Sequence, residues 1–326
     1  MSRGEPARRG AAPEFVRRFG PWLVALLALL WVSRSVHWDE VWKAFQGVSL
    51  AGFLLASVVL IVVNCAVDTL AMYYTFGWFG CRLRYRDLYV IRAATYLLAV
   101  VQYYVGQAAV IGFLRQRRGV PLWQGAGWIL FISGINMGVL VLLSTTGLLK
   151  AEVSLMWLRW VPIGVGASAL LYAVVLWMKP PRLARMAVLA PMFEMGVLGH
   201  VKATVVRLPH ILVLVLWHFI ALRWFGVAVP PLVALAYLPA VFFFAALPVS
   251  VQGLGLSQWA AVTFFAGYAA RGASAVLAYS LATTGSSIIV QVAMGMLFLR
   301  PAQRLGLRQE PMGLAQAEPA VEMTAG

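Results

Sequence analysis

The amino-acid sequence predicts an all-α polytopic membrane protein. Of its 326 residues, 62% are hydrophobic and 11% are charged, whereas soluble domains average about 45–50% apolar and about 25% charged residues. The mean hydropathy of +0.84 argues against a β-barrel, whose strands alternate polar with apolar residues. Apolar runs separated by short basic segments indicate about 6–8 spanning helices in one transmembrane domain (21–300), between cytoplasmic tails at 1–20 and 301–326.

Nine apolar stretches could enter the bilayer, since a helix needs about 20 residues to cross roughly 30 Å of hydrocarbon. They cover residues 22–36, 49–80, 93–114, 122–149, 157–178, 209–228, 231–249, 256–270 and 273–299. The first stretch follows a run of arginines and resembles a secretory signal, but no small-residue cleavage site follows it, so we expect an uncleaved helix. Residues 37–48 place Trp38, Val41, Trp42 and Phe45 at helical spacing, which predicts a short helix at the membrane interface.

Two apolar regions contain Gly or Pro where the backbone can open. Residues 103–107 (YYVGQ) interrupt the stretch 93–114, and residues 248–255 (PVSVQGLG) interrupt 231–270. The glycine spacing in the two regions is similar, which is a faint internal repeat. Two broken segments in corresponding halves are typical of an inverted-repeat transporter with a site near the membrane midplane. Coincidence among 29 glycines is the alternative.

Basic residues predict the orientation of the spans. Placing both termini in the cytoplasm puts 20 of the 26 Lys and Arg residues on that side, as the positive-inside rule requires. This arrangement makes 93–114 a re-entrant hairpin that enters from the cytoplasm and returns to it. Residues 231–270 begin and end outside, either as a second hairpin or as two full crossings. The net charge of +15 is thus explained by topology, and we expect no nucleic-acid partner.

Two motifs resemble a known family. VVQYYVGQAAVIGFLRQRRGVPLWQGAGW and ALPVSVQGLGLSQWAAVTFFAGY, together with HWDEVWKAF, resemble the flippase-like integral membrane family typified by the membrane region of lysylphosphatidylglycerol synthase. The likeness covers roughly residues 22–300, and the run from Pro248 to Gly255 is its most specific part. The resemblance implies a helical membrane domain with re-entrant elements, located in the cell inner membrane and linked to lipid movement or presentation.

The departures from the family pattern concern its charges. Where the family commonly has an Arg-Glu pair, this chain has Ser257 and Gln258, and the first motif offers Tyr104 and Gln107 in place of charged residues. Only about 26 residues follow the last span, so the soluble aminoacyltransferase domain of the synthase, and with it lysyl transfer, is not expected here. The departures indicate a less charged lipid or uncharged hydrogen-bonding groups in the site.

Asp68 is the acidic residue placed deepest in an apolar span, and Asn64 lies four residues earlier on the same helical face. Carboxylates in such positions usually face the bundle interior and mark a pathway or a proton relay. The alternative is a structural ion pair, for which Arg92 and Arg115 are candidate partners. We expect Asp68 and Asn64 to contribute to a substrate site.

The two breaks supply the other candidate substrate-binding groups. Freed backbone and side-chain amides at the ends of half-helices could bind a phosphate or a sugar, although the amides could instead satisfy only the opened backbone. Arg115, in a basic cluster, could attract anionic head groups to the inner leaflet or only fix topology. The candidates are Gly106, Gln107, Ser250, Gln252, Gly253, Gly255, Gln258 and Arg115.

The first hypothesis for function is a lipid flippase or lipid transporter that binds a lipid with a polar or anionic head group. No metal-binding, nucleotide-binding or nucleophile-elbow motif occurs, so no catalytic residue, metal or cofactor is predicted. A membrane-bound transferase is the second hypothesis, with Asp68 and Glu194 as the available acids or bases. The third is a non-catalytic scaffold for lipid biosynthesis enzymes, with isoprenoid or hopanoid-type lipids as the associated class.

Overall fold

The computed structural model describes Arg34 and residues 37–101, 103–150, 160–246 and 255–306. These ranges contain eleven α-helices and one 3₁₀ turn (Ala266–Tyr268), and their extended backbone pairing is limited to one bridge between Val227 and Ala269. The predicted all-α class is confirmed. The predicted first span lies outside the described residues except for Arg34, and so do the N-terminal tail and the chain beyond residue 306.

The helices differ widely in length. In chain order they are α1 (Trp38–Gln46), α2 (Leu50–Trp78), α3 (Tyr85–Ala99), α4 (Tyr103–Arg118), α5 (Leu122–Lys150), α6 (Val161–Met178), α7 (Pro181–Ala184), α8 (Ala190–Trp224), α9 (Pro231–Ala246), α10 (Leu256–Phe265) and α11 (Gly272–Gly306). Five of them, α2, α5, α6, α8 and α11, are long and apolar enough to cross a bilayer. The chain is therefore a polytopic membrane protein.

α3 and α4 form the first hairpin. They have 15 and 16 residues, about 22 and 24 Å at 1.5 Å per residue, which is short of a full crossing. The break between them includes residues 100 and 101, whereas residues 103–107, where the sequence predicted the break, form the first turn of α4. Gly106 is needed for close packing instead, because a Cβ there would lie 2.8 Å from the Ala99 Cβ.

α9 and α10 form the second hairpin. The Ala228 N–H donates to the Tyr268 carbonyl at 2.9 Å, so the chain enters and leaves this segment at the same point. α9 has 16 residues and α10 has 10, about 24 and 15 Å long. Such short helices favour the re-entrant hairpin over two full crossings, which the sequence could not distinguish. Residues 247–254, which hold the predicted break, lie outside the described ranges.

Contacts near the helix ends identify two opposite ends of the molecule. At one end, Ser274 donates to the His37 carbonyl at 3.5 Å and the Phe45 and Phe225 rings pack with centroids 5.8 Å apart. At the other end, called here the basic end, Arg117 pairs with Asp87 at 3.0 Å. Segments that the positive-inside analysis assigned to one membrane face thus meet in space. That the basic end is cytoplasmic stays a prediction.

The second hairpin is fixed to α5 by direct backbone contact. A Cβ at Gly147 would clash with the Ala236 backbone, so only glycine allows α5 and α9 to approach this closely. The Ser144 hydroxyl, one turn earlier on α5, donates to the Ala236 carbonyl at 2.7 Å. The second hairpin and α5 therefore form one packed unit.

α8 begins earlier than the sequence predicted. The expected span started at Pro209, after several basic residues, but α8 starts at Ala190 and continues through Pro209 to Trp224. Gly196, with φ of 56°, bends the helix near its beginning. The extension carries Arg207, which the sequence analysis counted with the cytoplasmic residues, into the interior of the bundle.

Membrane sidedness can be tested with single cysteines. Both native cysteines are buried, and burial raises the pKa of the Cys81 thiol, so background labelling at neutral pH is low. We expect Asp39→Cys, before α2, to react with an impermeant maleimide in intact cells. Arg82→Cys, at the basic end, is expected to react only after permeabilisation; the opposite pattern would invert the predicted topology.

The packing of the first hairpin can be tested at two glycines of α4. Gly106→Ala is expected to lower the free energy of unfolding by about 1–3 kcal/mol, the usual cost of overpacking, because its methyl group meets Ala99. Gly112→Ala is the matched control, since no atom lies within 4 Å of its Cβ position. Thermal stability in detergent measures both. Equal midpoints for the two variants would contradict the close packing.

Candidate polar site within the membrane

Asp68 lies at the centre of a buried charge cluster formed by Asp68, Arg92 and Arg207. It is on α2, ten residues or about 15 Å before the helix end at Trp78. The Arg92 Nε donates to one carboxylate oxygen at 2.5 Å, and the Arg207 Nη1 donates to the other oxygen. The charge cluster joins α2, α3 and α8 inside the membrane.

The charge cluster has an excess of one positive charge, because two guanidinium groups share one carboxylate. Arg207 also donates from Nε to the Asn136 Oδ1 at 3.1 Å on α5, and Arg92 lies 5.1 Å from the centre of the Tyr96 ring. The buried Nη1 of Arg92 has no hydrogen-bond partner within the described ranges. A cation in a low-dielectric interior that keeps a free donor is suited to an anionic group.

Further buried polar atoms near the hairpins lack a hydrogen-bond partner among the residues described. These atoms are the Asn64 Oδ1, the Tyr103 hydroxyl and the Gln107 Oε1. Tyr103 lies close enough to Arg92 to act on it electrostatically. Buried polar groups are usually paired, so these unpaired atoms are groups whose hydrogen bonds a ligand could complete.

A hydroxyl-rich cavity of about 230 Å³ lies between α8, α9, α10 and α11. We call it the hydroxyl cavity. Polar atoms come mainly from one face of α11, which turns its side chains inward at helical spacing. The polar lining residues are His218, Ser257, Tyr279, Ser280, Thr283, Thr284, Ser287 and Gln291. His218 and the Tyr279 hydroxyl are 2.6 Å apart and form a hydrogen bond.

A smaller hollow of about 70 Å³ lies next to the hydroxyl cavity, on the side of the charge cluster. The hollow shares His218, Ser287 and Gln291 with the hydroxyl cavity. Its other side is lined by Asn64 and Tyr96, which lie one turn from Asp68 and Arg92 respectively. Polar lining therefore continues from the second hairpin to within one helical turn of Asp68 and Arg92.

The two hairpins touch where their helices end. The Tyr104 hydroxyl, at the start of α4, donates to the Ala246 carbonyl at the end of α9, at 3.4 Å. Ala245 lines the hydroxyl cavity, and Tyr104 lines a separate, mostly apolar cleft of about 410 Å³ between α4 and α5. Gln107 and Ser133 are the other polar residues of this apolar cleft. Two different cavities thus flank the contact between the hairpins.

Gln258 closes the start of α10 and is fully buried. Its Oε1 accepts from the Gly255 N–H at 2.6 Å and from the Ser257 hydroxyl at 3.2 Å. Its Nε2 donates to Thr284 at 3.5 Å. These bonds satisfy backbone opened at Gly255, whose φ is 88°. The observed contacts of Gln258 therefore match the alternative in which the amide satisfies the opened backbone and does not bind a substrate.

The predicted site residues are only partly brought together. Asp68 and Asn64 share the interior with Gln107, while Arg115 is exposed near the end of α4 and does not contact Asp68. Gly106 is a packing position. Ser250, Gln252 and Gly253 lie outside the described residues. Of the two arginines proposed as partners for Asp68, Arg92 is confirmed.

Sequence reasoning missed Arg207 and the polar face of α11. Arg207 was counted with the cytoplasmic basic residues that precede the predicted span 209–228. The polar face was visible as Ser280, Thr284 and Ser287 within an apolar span, but small hydroxyl residues commonly bond to their own helix backbone. Their spacing of three to four residues is the signal that could have identified a common face.

Comparisons with known proteins give no match for this chain. No family model matches, and no significant similarity is found to curated proteins or to solved structures.

The charge cluster predicts an asymmetric response to mutation. Asp68→Asn leaves two buried guanidinium groups without a counter-charge, and we expect it to cost about 3–5 kcal/mol of unfolding free energy. Arg207→Gln leaves the neutral Asp68–Arg92 pair and should cost clearly less. Thermal midpoints in detergent test this, with Glu194→Gln at an exposed α8 position as the control. A larger loss for Arg207→Gln would contradict an excess positive charge.

Proposed function

We propose that this protein moves a lipid with an anionic, hydrogen-bonding head group between the leaflets of the cell inner membrane. The observation that carries the proposal is the polar lining of two neighbouring hollows, which runs from the second hairpin to within one helical turn of the charge cluster. Polar side chains in a membrane interior are costly unless they serve a ligand or each other. Here they line connected hollows and include unpaired atoms.

The charge of the interior favours an anion. Transferring an isolated phosphate into hydrocarbon is strongly unfavourable, and the excess positive charge shared by Arg92 and Arg207 offsets that cost. Hydroxyl and amide groups in the hydroxyl cavity can replace the water lost by the rest of the head group. A head group that carries both a phosphate and additional hydrogen-bonding groups fits the charge cluster and the hydroxyl cavity.

The apolar cleft supports a lipid over a soluble anion. It lies between α4 and α5, and one of its lining residues, Leu130, is 40% exposed on the membrane surface of the bundle. Its lining is apolar apart from Tyr104, Gln107 and Ser133. Acyl chains could therefore remain in the apolar cleft or in the bilayer while the head group enters the polar interior.

Transport is better supported than group transfer. Both oxygens of Asp68 accept bonds from arginines, which makes this carboxylate a poor general base. Glu194, the other candidate, is exposed on the first turns of α8. The sequence resemblance to flippase-like proteins agrees with transport. Downhill movement of a lipid needs a polar path but no nucleotide.

Purified protein in liposomes tests the proposal directly. A head-group-labelled anionic phospholipid in the inner leaflet is expected to become accessible to an impermeant quencher, faster than a labelled phosphatidylcholine. Ser287→Leu, which fills the junction between the hydroxyl cavity and the smaller hollow, should slow the movement of the labelled anionic lipid at least tenfold. Ser168→Leu is the matched control, because Ser168 is exposed on α6.

Two outcomes would overturn the proposal. If the folded wild-type protein accelerates no anionic, zwitterionic or glycosylated lipid above protein-free liposomes, translocation is wrong and the scaffold hypothesis replaces it. If Ser287→Leu and Ser168→Leu slow movement equally, the polar hollows are not the path.

A further inference from the structure

A second polar cavity lies at the basic end, away from the proposed path. It has a volume of about 330 Å³ and is formed by the first turns of α3 and the last turns of α11. We call it the arginine cleft, since Arg84, Arg86 and Arg304 line it. The other lining residues are Asp87, Val90, Pro301 and Leu305.

The walls of the arginine cleft are held by tight helix packing. α3 and α11 pack so closely that a Cβ at Gly295 would lie 2.8 Å from the Leu97 backbone nitrogen. Arg84 and Arg304 are more than two hundred residues apart in sequence, so their approach is a product of this packing. The cleft is therefore a feature of the fold and not of a single basic loop.

Among the described residues, the charges of the arginine cleft are not balanced by carboxylates. Asp87 is the one carboxylate in the lining, and Arg117, which is buried, already pairs with it at 3.0 Å. In the ranges described, Arg84, Arg86 and Arg304 have no carboxylate within ion-pair distance. Three like charges around one cavity repel each other, and an anion between them removes that repulsion.

The remaining lining indicates which anion. Val90, Pro301 and Leu305 give the cleft an apolar wall beside its arginines, so the cavity is amphipathic. α3 and α11 both enter the apolar bundle directly from this cleft. Basic cavities between helix ends at a membrane surface suit lipid phosphates, whose glycerol and acyl carbons can lie on the apolar wall.

We propose that the arginine cleft binds the phosphate of an anionic lipid that resides in the adjacent leaflet. This lipid is a resident ligand and not the cargo of the interior path, and the inference does not depend on the proposed transport function. Bound there, it joins the end of α11 to the base of the first hairpin, whose α3 also carries Arg92. The expected effect is a more stable packing of α3 against α11.

Thermal stability of the full-length protein in neutral detergent tests the proposal, with added phosphatidylglycerol and phosphatidylcholine as probes. Phosphatidylglycerol is expected to raise the midpoint and phosphatidylcholine to leave it unchanged. The triple variant Arg84→Gln, Arg86→Gln and Arg304→Gln should bind phosphatidylglycerol on the order of a hundredfold more weakly, at about fivefold per arginine. Its midpoint without lipid should not fall below that of the wild type, because the three side chains are exposed and their mutual repulsion is removed.

A matched triple variant distinguishes a built site from general attraction. Arg82→Gln, Arg182→Gln and Arg185→Gln remove the same charge from exposed positions at the basic end outside the cleft, and should retain the lipid effect. Equal losses in the two triple variants would overturn the proposal in favour of nonspecific attraction. An equal rise with inorganic phosphate alone would overturn it in favour of a soluble anion. Both triple variants keep the charge cluster, so cargo binding in the interior cannot imitate the result.

Discussion

The carboxylate of Asp68 is the point on which the interior arrangement depends. A buried carboxylate or guanidinium group is tolerated in a membrane only when it is paired, and here one carboxylate holds arginines from two other helices. The pairing sets the depth of α3, and so of the first hairpin, against α2 and α8. It also leaves the centre of the protein positively charged, since the second arginine has no carboxylate of its own.

The two hairpins give this charged centre its surroundings. The helices of both hairpins are short for a full crossing, and backbone that is opened inside a membrane cannot be satisfied by lipid. Tyr104 from one hairpin bonds to the end of the other, and Gln258 closes the start of α10. The hydroxyl cavity and the apolar cleft flank this contact between the hairpins.

Composition and hydropathy were sufficient to predict the helical membrane fold and the burial of Asp68, because these depend on local hydrophobicity. The first hairpin was predicted from a charge count that placed Arg92 in the cytoplasm, whereas Arg92 is buried and pairs with Asp68. The partner Arg207 could not be predicted, since it lies 139 residues from Asp68 and its helix continues through a proline. The break in the first hairpin was placed a few residues late, because Gly106 was taken for a hinge when its role is close packing. The hydroxyl cavity combines side chains from four helices, and local periodicity does not show which helices become neighbours.

The glycine contact between α5 and the second hairpin limits how this protein can change shape. With the Ala236 backbone directly against Gly147 and hydrogen-bonded to Ser144, neither element can slide along the other without breaking that register. If the protein alternates between inward-open and outward-open states, the second hairpin and α5 must therefore move together as one rigid unit.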